Sequence, residues 1–317
     1  MTQPARHGRS VRAPVGATVP GRPHKLLRGK EGQIVMAELL KGIDVVNGMK
    51  DKLVARVEEL KKVGISPCLG IVRIGERPDD LSYERGAIKR CEGIGLECKV
   101  FSFPEDIDND KFADEFKKIN DYKSVHGILV FRPMPKHIDE DRIKAIIDPK
   151  KDMDCMSDVN IAKVFAADES GYAPCTPRAV MEMLKHFNIE LKGKRVTVVG
   201  RSMVVGKPLA MLLLREHATL TICHTRTVNI EDECKRAEIL IAAAGVPKMI
   251  NASFVNKGAV VIDVGINVDE NGNLCGDVDF ESVEPIAGCI SPVPGGVGTV
   301  TTSVLAMHTI DAAERTK

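Results

Sequence analysis

The chain has no tryptophan and only three tyrosines among 317 residues. Aromatic stacking therefore falls to few positions, and each tyrosine deserves a role. Nine cysteines are present without a single C-x-x-C pair. Zinc ribbons and dithiol motifs require such spacing, so no metal is expected and the cysteines read as reduced thiols of a cytoplasmic protein. No apolar run approaches the roughly 20 residues of a membrane span, which sets aside a membrane partner. Net charge is also nearly absent, at +1. Nothing global draws the chain to nucleic acid.

What is present suits a folded core: 44% hydrophobic and 28% charged residues. The length fits one large or two ordinary domains. The even charge hides an asymmetry. Residues 1–35 hold seven Lys and Arg against one acid, so the remainder carries five more acids than bases. That segment is rich in Arg, Pro and Gly. It reads as a leader outside the fold, against an organelle transit peptide or a basic tail for a partner. Met36 resembles a natural start.

From Met36 onward strands and helices alternate. Val45–Val63 has helical spacing of apolar residues, and Cys68–Val72 reads as a buried strand. A helix over Ser82–Gly93, a strand over Glu97–Phe103, a helix over Asp110–Ile119, a strand over Gly127–Phe131 and a helix over Asp139–Ile147 follow. This rhythm implies parallel βαβ units. Residues 148–175 break it and read as a polar crossover between two domains. Thr176 is expected to cap a helix with Pro177 at its first position. Further strands are expected over Ala218–Cys223, Ile239–Gly245 and Ala259–Gly265, a hairpin turn at Asn271-Gly272, and a last helix over Thr301–Arg315 that returns to the first unit.

The stretch Arg195–Pro208 organises the second half. A β-branched run stops at Gly200, a polar turn follows, and Gly206 opens a leucine-rich helix. Strand, glycine turn and helix present backbone N–H groups to a dinucleotide pyrophosphate. The G-x-x-x-x-x-G spacing is not the standard fingerprint, so an ordinary βα loop stays open. The next strand ends Cys223-His224-Thr225-Arg226, without the carboxylate that bonds NAD's ribose. Arg226, Arg201, Ser202 and Thr225 offer cations and hydroxyls that suit a 2′-phosphate, favouring NADP. The alternative for Arg226 is a solvated loop charge.

Several separated motifs agree in order and spacing. They include Ser82-Tyr83, Pro133-Met134-Pro135, Lys151-Asp152-Met153-Asp154, Pro174-Cys175-Thr176-Pro177, Gly200-Arg201-Ser202 with Val205-Gly206, Asp263-Val264-Gly265-Ile266-Asn267, and Pro292 to Gly298. Together they resemble the methylenetetrahydrofolate dehydrogenase/cyclohydrolase family from about Met36 to the C-terminus. The resemblance implies an α/β fold of two domains. An N-terminal βαβ substrate domain spans 36–156 and is completed by 296–317. A Rossmann-like NADP domain spans 157–295, with a cleft between the two. It also implies a homodimer and tetrahydrofolate one-carbon derivatives as substrates. Tyr83 would lie along the pterin or aminobenzoate and Asp154 would accept from the pterin N–H groups. Pro294, Gly295 and Gly296 would approach the folate. Gly200, Arg201, Ser202, Gly206, Thr225, Arg226 and Ile266 would hold NADP.

Cys155 stands where the family prefers glycine, so a different backbone is expected there, and Thr299-Val300 replaces its usual Pro-Met with little consequence expected. Two further positions depart in the catalytic motifs. The family's Tyr-x-x-x-Lys helix here reads Tyr83 to Ala87, and the glutamine of Gln-Leu-Pro-Leu-Pro is Phe131. Position +4 lies about 40° from Tyr83 around the helix, whereas Lys89 at +6 lies about 120° away on the other side. Hydride transfer needs aligned rings and no strong base; hydrolysis needs a positioned titratable group. The expectation is therefore a dehydrogenase that has lost its cyclohydrolase. The alternatives are a bifunctional enzyme that draws on Lys89, and a binding protein left after active-site decay.

Overall fold

The computed structural model describes residues 36–317; the expected leader lies outside the described residues. In chain order the elements are β1 (Glu38–Leu39), α1 (Gly42–Lys62), β2 (Cys68–Ile74), α2 (Pro78–Glu92), β3 (Glu97–Phe103), α3 (Asn109–Asp121), β4 (Gly127–Val130), α4 (Glu140–Ile146) and α5 (Asp158–Phe165). There follow α6 (Cys175–His186), β5 (Arg195–Val199), α7 (Gly206–Arg215), β6 (Thr219–Cys223), α8 (Ile230–Lys235), β7 (Ile239–Ala242) and β8 (Val260–Asp263). The chain closes with β9 (Asn267–Val268), β10 (Leu274–Cys275), α9 (Phe280–Val283), β11 (Cys289–Ile290) and α10 (Val297–Glu314).

Two parallel sheets result. One has the order β3-β2-β4, the other β1-β11-β8-β7-β5-β6. All pairings within both are parallel. β2 and β4 are buried at every residue, as strands covered on both faces must be. The fold is thus bilobal α/β, an N-terminal βαβ lobe and a C-terminal Rossmann-like lobe. β1 joins the larger sheet, so the chain touches the C-terminal lobe before it builds the N-terminal one.

One helix ties the lobes together. α10 buries twelve residues around its circumference, including Val300, Val304, Leu305 and Ile310. A helix apolar on every side must be enclosed. Each such side chain contributes about 1.5–3 kcal/mol when fully buried. It packs on α1, α2 and α6. Arg56 of α1 clamps it through Glu314 (3.0 and 2.7 Å) and Asp311 (2.5 Å).

Three local expectations need correction. The crossover contains a helix, α5, capped by Ser157, whose Oγ accepts the Asn160 amide at 3.3 Å. At eight residues inside a polar, turn-rich stretch, its period is too short to read. Thr176 is not a cap: α6 begins at Cys175, after Pro174. A distant carboxylate supplies the missing acceptor, because the Cys175 N–H donates to Asp154 Oδ1 at 2.7 Å. α2 begins at Pro78, four residues before Ser82, with Asp79 and Asp80 in its first turn.

Candidate active site

Between the lobes, α2 and the loop after α4 present Tyr83 and Asp154. α2 is fixed from below by a buried pair, Arg73 Nε to Glu84 Oε2 at 3.1 Å. That leaves Tyr83 half-buried on the cleft side. Its hydroxyl donates to Thr301 Oγ1 at 3.4 Å, and Thr301 Oγ1 donates to the Gly298 carbonyl at 3.0 Å. Its ring meets Phe131 edge-on, 5.9 Å between centroids at 88°. Burial, then Cys175, pushes the phenol up, so Tyr83 stays protonated.

The motif Lys151-Asp152-Met153-Asp154 sends its charges to different places. Met153 N donates to the Ile128 carbonyl at 3.2 Å and Ile128 N to the Lys151 carbonyl at 2.6 Å, extending β4 like a short strand. Asp152 turns inward and accepts from Met156 N, Ser157 N, Ser157 Oγ and Asn160 Nδ2 at 2.7–3.0 Å. Lys151 Nζ donates to the carbonyls of Asn120 and Tyr122 at 2.7 and 2.8 Å. Both are structural. Asp154 faces the cleft. Burial raises it above the usual carboxylate range, while the Cys175 amide and the Arg132 guanidinium pull it down. Arg132 stands between two acids, with Nη2 3.8 Å from Asp154 Oδ2 and Nη1 3.7 Å from Glu140 Oε1.

Beside Asp154, Cys155 adopts φ +55°. The left-handed region favours glycine, which the family resemblance predicts at this place. The expected change of backbone is not found: the turn takes the left-handed conformation with a cysteine in it.

A cavity of about 750 Å3 runs along α2, lined by Tyr83, Lys89, Ile266, Gly298 and Thr299. Ile266 and Gly298 also border a smaller cavity with Pro294, Gly295 and Gly296. Gly295 has φ +102°. A third cavity, about 190 Å3, sets Asp154 and Arg132 across from Met203 and Val204 of the turn after β5. Tyr83 and the Pro294–Gly296 loop thus border adjoining cavities, and Asp154 borders another with the turn after β5. Ala87 lines none of these: it is fully buried in the core behind Tyr83.

In the turn itself Gly200 has φ +135°. A Cβ there would collide with the Ala243 carbonyl, and one at Gly206 with the Gly200 carbonyl. These two glycines are steric necessities of a tight strand-to-helix turn. Ser202 Oγ accepts the Val205 N–H at 3.0 Å, shaping the entry to α7. Arg201, Ser202, Thr225 and Arg226 are exposed. The Arg226 N–H donates to His224 Nδ1 at 3.1 Å and the His224 N–H to Thr227 Oγ1 at 2.9 Å, so the loop after β6 is held by its own residues. This cradle fits a dinucleotide: backbone space, a helix start and two free guanidiniums.

Beyond β8, two buried carboxylates organise the loops. Asp263 accepts from the N–H groups of Gly265, Asp277 and Val278 at 2.9–3.0 Å. Asp277 accepts from Ala244, Gly245 and Val246 at 2.6–3.0 Å and from Asn267 Nδ2 at 2.8 Å. They hold Ile266 at the cleft. Sequence reading missed Thr301, the Cys175 amide and this pair as positioning groups. Among the described residues no His, Cys, Asp and Glu cluster could hold a metal, and no helix is long and apolar enough to cross a membrane.

Comparison with known proteins agrees with this geometry. Residues 40–154 match the family model of the tetrahydrofolate dehydrogenase/cyclohydrolase catalytic domain, and 174–317 that of its NAD(P)-binding domain. The bifunctional protein FolD of Clostridioides difficile is 56% identical over 277 residues, 87% of this chain and 96% of the relative. The crystal structure of bifunctional FolD from Campylobacter jejuni superposes with a TM-score of 0.86 at 36% identity, covering 89% of this chain and all of that one. The Trypanosoma brucei dehydrogenase-cyclohydrolase, complexed with NADP and an inhibitor, gives 0.84 at 33% identity, covering 89% and 99%. The bifunctional relatives, up to 56% identical, overturn the expectation of a dehydrogenase without cyclohydrolase and favour its bifunctional alternative. Lys89 lines the same cavity as Tyr83.

Proposed function

Because the chain belongs to the tetrahydrofolate dehydrogenase/cyclohydrolase family, we propose that it oxidises 5,10-methylenetetrahydrofolate with NADP and hydrolyses the product to 10-formyltetrahydrofolate. The observation that carries this reading is the placement of the expected residues: Tyr83 and the glycine loop border two cavities that share Ile266, Gly298 and Thr299, and Asp154 borders a third with Met203 and Val204 of the turn after β5. Asp154 accepts from the pterin's amino and ring N–H groups, and Tyr83 lies along the flat part of the folate. Gly295 and Gly296, after Pro294, let backbone approach it. When bound, NADP accepts the hydride and so supplies the redox chemistry. Gly200, Gly206, Arg201, Ser202, Thr225 and Arg226 hold it, and Ile266 separates it from the folate side.

In the hydrolytic step a water oxygen adds to the methenyl carbon, the bond from that carbon to N5 breaks, one water proton goes to N5 and the other leaves. Lys89 is the ammonium placed to move that proton, and Arg132 adds a fixed positive charge beside Asp154. The protein works as a cytoplasmic homodimer in this reading. A single absorbance record tests both halves. Methenyl absorbance should rise with NADP and then decay faster than in buffer. Failure to rise sinks the dehydrogenase; a rise that decays only at the buffer rate sinks the cyclohydrolase.

A further inference from the structure

A second cavity, about 330 Å3, opens where α5, the loop behind it and the far ends of α7 and α10 meet. It shares no lining residue with the cleft cavities. Three guanidiniums line it, each from a different place: Arg178 in α6, Arg215 ending α7 and Arg315 just past α10. Carboxylates line it too, and each is engaged. Glu169 pairs with Arg215. Asp311 is held by Arg56 at 2.5 Å. Asp168 accepts the Ser170 N–H at 2.8 Å. Arg178 pairs with Glu182 through Nε and Nη2, at 3.0 and 2.7 Å, leaving other donors of its fork unused.

Arg315 differs from the other two. It donates to the carbonyls of Ser170 (2.6 Å) and Glu169 (3.4 Å) and makes no ion pair among the described residues. It lies over the ring of Tyr172, 4.8 Å from guanidinium carbon to centroid. Tyr172 is 2% exposed, and its hydroxyl is buried with no hydrogen-bond partner. A buried O–H without an acceptor has lost its water and gained nothing in return. Native chains keep such a group where an acceptor completes it. Beside it, His308 Nδ1 lies 2.9 Å from the Met153 carbonyl. A carbonyl only accepts, so Nδ1 carries the proton and Nε2 is left as an acceptor. Burial holds this imidazole neutral.

A tetrahedral oxyanion answers that set. Its several oxygens accept from guanidiniums on different sides and from the phenol, and one remaining P–O–H donates to an imidazole nitrogen. A planar carboxylate, with two oxygens, meets a single fork and leaves the rest unmet. We propose that this cavity binds a phosphate-class oxyanion, inorganic phosphate or a phosphomonoester, through Arg315, the Tyr172 hydroxyl, Arg178 and Arg215. The position gives the site a consequence. α7 starts at Gly206 in the cofactor turn, and α10 starts at Val297 beside the glycine loop. A ligand bridging Arg215 and Arg315 fastens the far ends of the two helices whose near ends form the cleft.

Calorimetric titration and thermal unfolding of the full chain, with inorganic phosphate and separately with glycerol phosphate against chloride at matched ionic strength, test the site. At least one of the two should bind and raise Tm. The tighter of them identifies the source of the oxyanion. Tyr172→Phe, which keeps the ring and deletes one oxygen, and Arg315→Gln should each weaken binding about tenfold or more. Arg226→Ala, which removes the cation assigned to the cofactor's 2′-phosphate, should leave the component of binding that depends on Tyr172 and Arg315 in place. No binding by either probe, equal binding by Tyr172→Phe and Arg315→Gln, or loss in Arg226→Ala alone would overturn the assignment.

Discussion

Arg132 Nη2 stands 3.8 Å from Asp154 Oδ2, and the other oxygen of Asp154 accepts the Cys175 N–H at 2.7 Å. A carboxylate whose pKa burial raises is thus drawn back toward its charged form from two sides. Arg132→Leu removes one of them and raises Asp154 further. The charged form is the one that accepts from a pterin. The acid limb of kcat/KM for the folate should therefore move to higher pH, through KM, with little change well above it. Arg132→Lys should restore most of the shift. An unmoved limb would show the two groups to be uncoupled.

Cys155 offers a test of backbone strain. At φ +55°, alanine keeps the left-handed penalty and loses the buried thiol, whereas glycine loses the thiol and is relieved of the penalty. Cys155→Gly should be more stable than Cys155→Ala by about 1 kcal/mol, the reverse of the usual order. Urea unfolding of the two variants decides it.

The Arg56 fork makes stability depend on pH. Its hydrogen bond holds the Glu314 carboxyl below the ordinary glutamate range. A depressed folded value means the stabilisation is complete above the unfolded value of about 4.3 and is lost as pH falls through the folded one. Arg56→Met should cost about 1–2 kcal/mol at pH 7, a partly exposed but forked pair lying between surface and buried cases. The cost should shrink below pH 4.

Cofactor choice rests on the loop after β6, where Cys223-His224-Thr225-Arg226 offers no carboxylate. Arg226→Ala should raise KM for NADP about tenfold or more, the loss of a charged hydrogen bond, and leave KM for NAD within about twofold. Equal changes for both cofactors would mean that Arg226 does not read the 2′-phosphate.

Much of this molecule is legible in its sequence because its strands are short, apolar and β-branched and its helices are amphipathic. β3 spans the residues that periodicity gives it, Glu97–Phe103. Motif order also picks out Tyr83 and Pro294 to Gly296, which border adjoining cavities, and Asp154, which borders a third. What sequence could not give is anything set by distant partners. Thr176 carries the right chemistry for a cap, yet the acceptor comes from Asp154, 21 residues away. Asp152 and Asp154 look alike until Met156, Ser157 and Asn160 hold one of them inward. The angle of Lys89 around an ideal helix says nothing of the cavity that it lines with Tyr83.

That cavity sets the last expectation. Lys89→Met should slow methenyl hydrolysis about 100-fold, the lower end of what a positioned proton carrier contributes, and leave hydride transfer within a few-fold. Ala87→Lys is the informative partner. Position 87 is fully enclosed and Phe131 packs against Tyr83 where a polar partner would be needed. A lysine introduced there overfills the core and should cost roughly 1–3 kcal/mol, with no gain in hydrolysis. Adding Phe131→Gln supplies an acceptor and opens space, so the double variant should recover part of that stability. If Ala87→Lys alone speeds hydrolysis while Lys89→Met changes nothing, the proton is moved from position 87 whenever an amine stands there, and Lys89 is a surface charge.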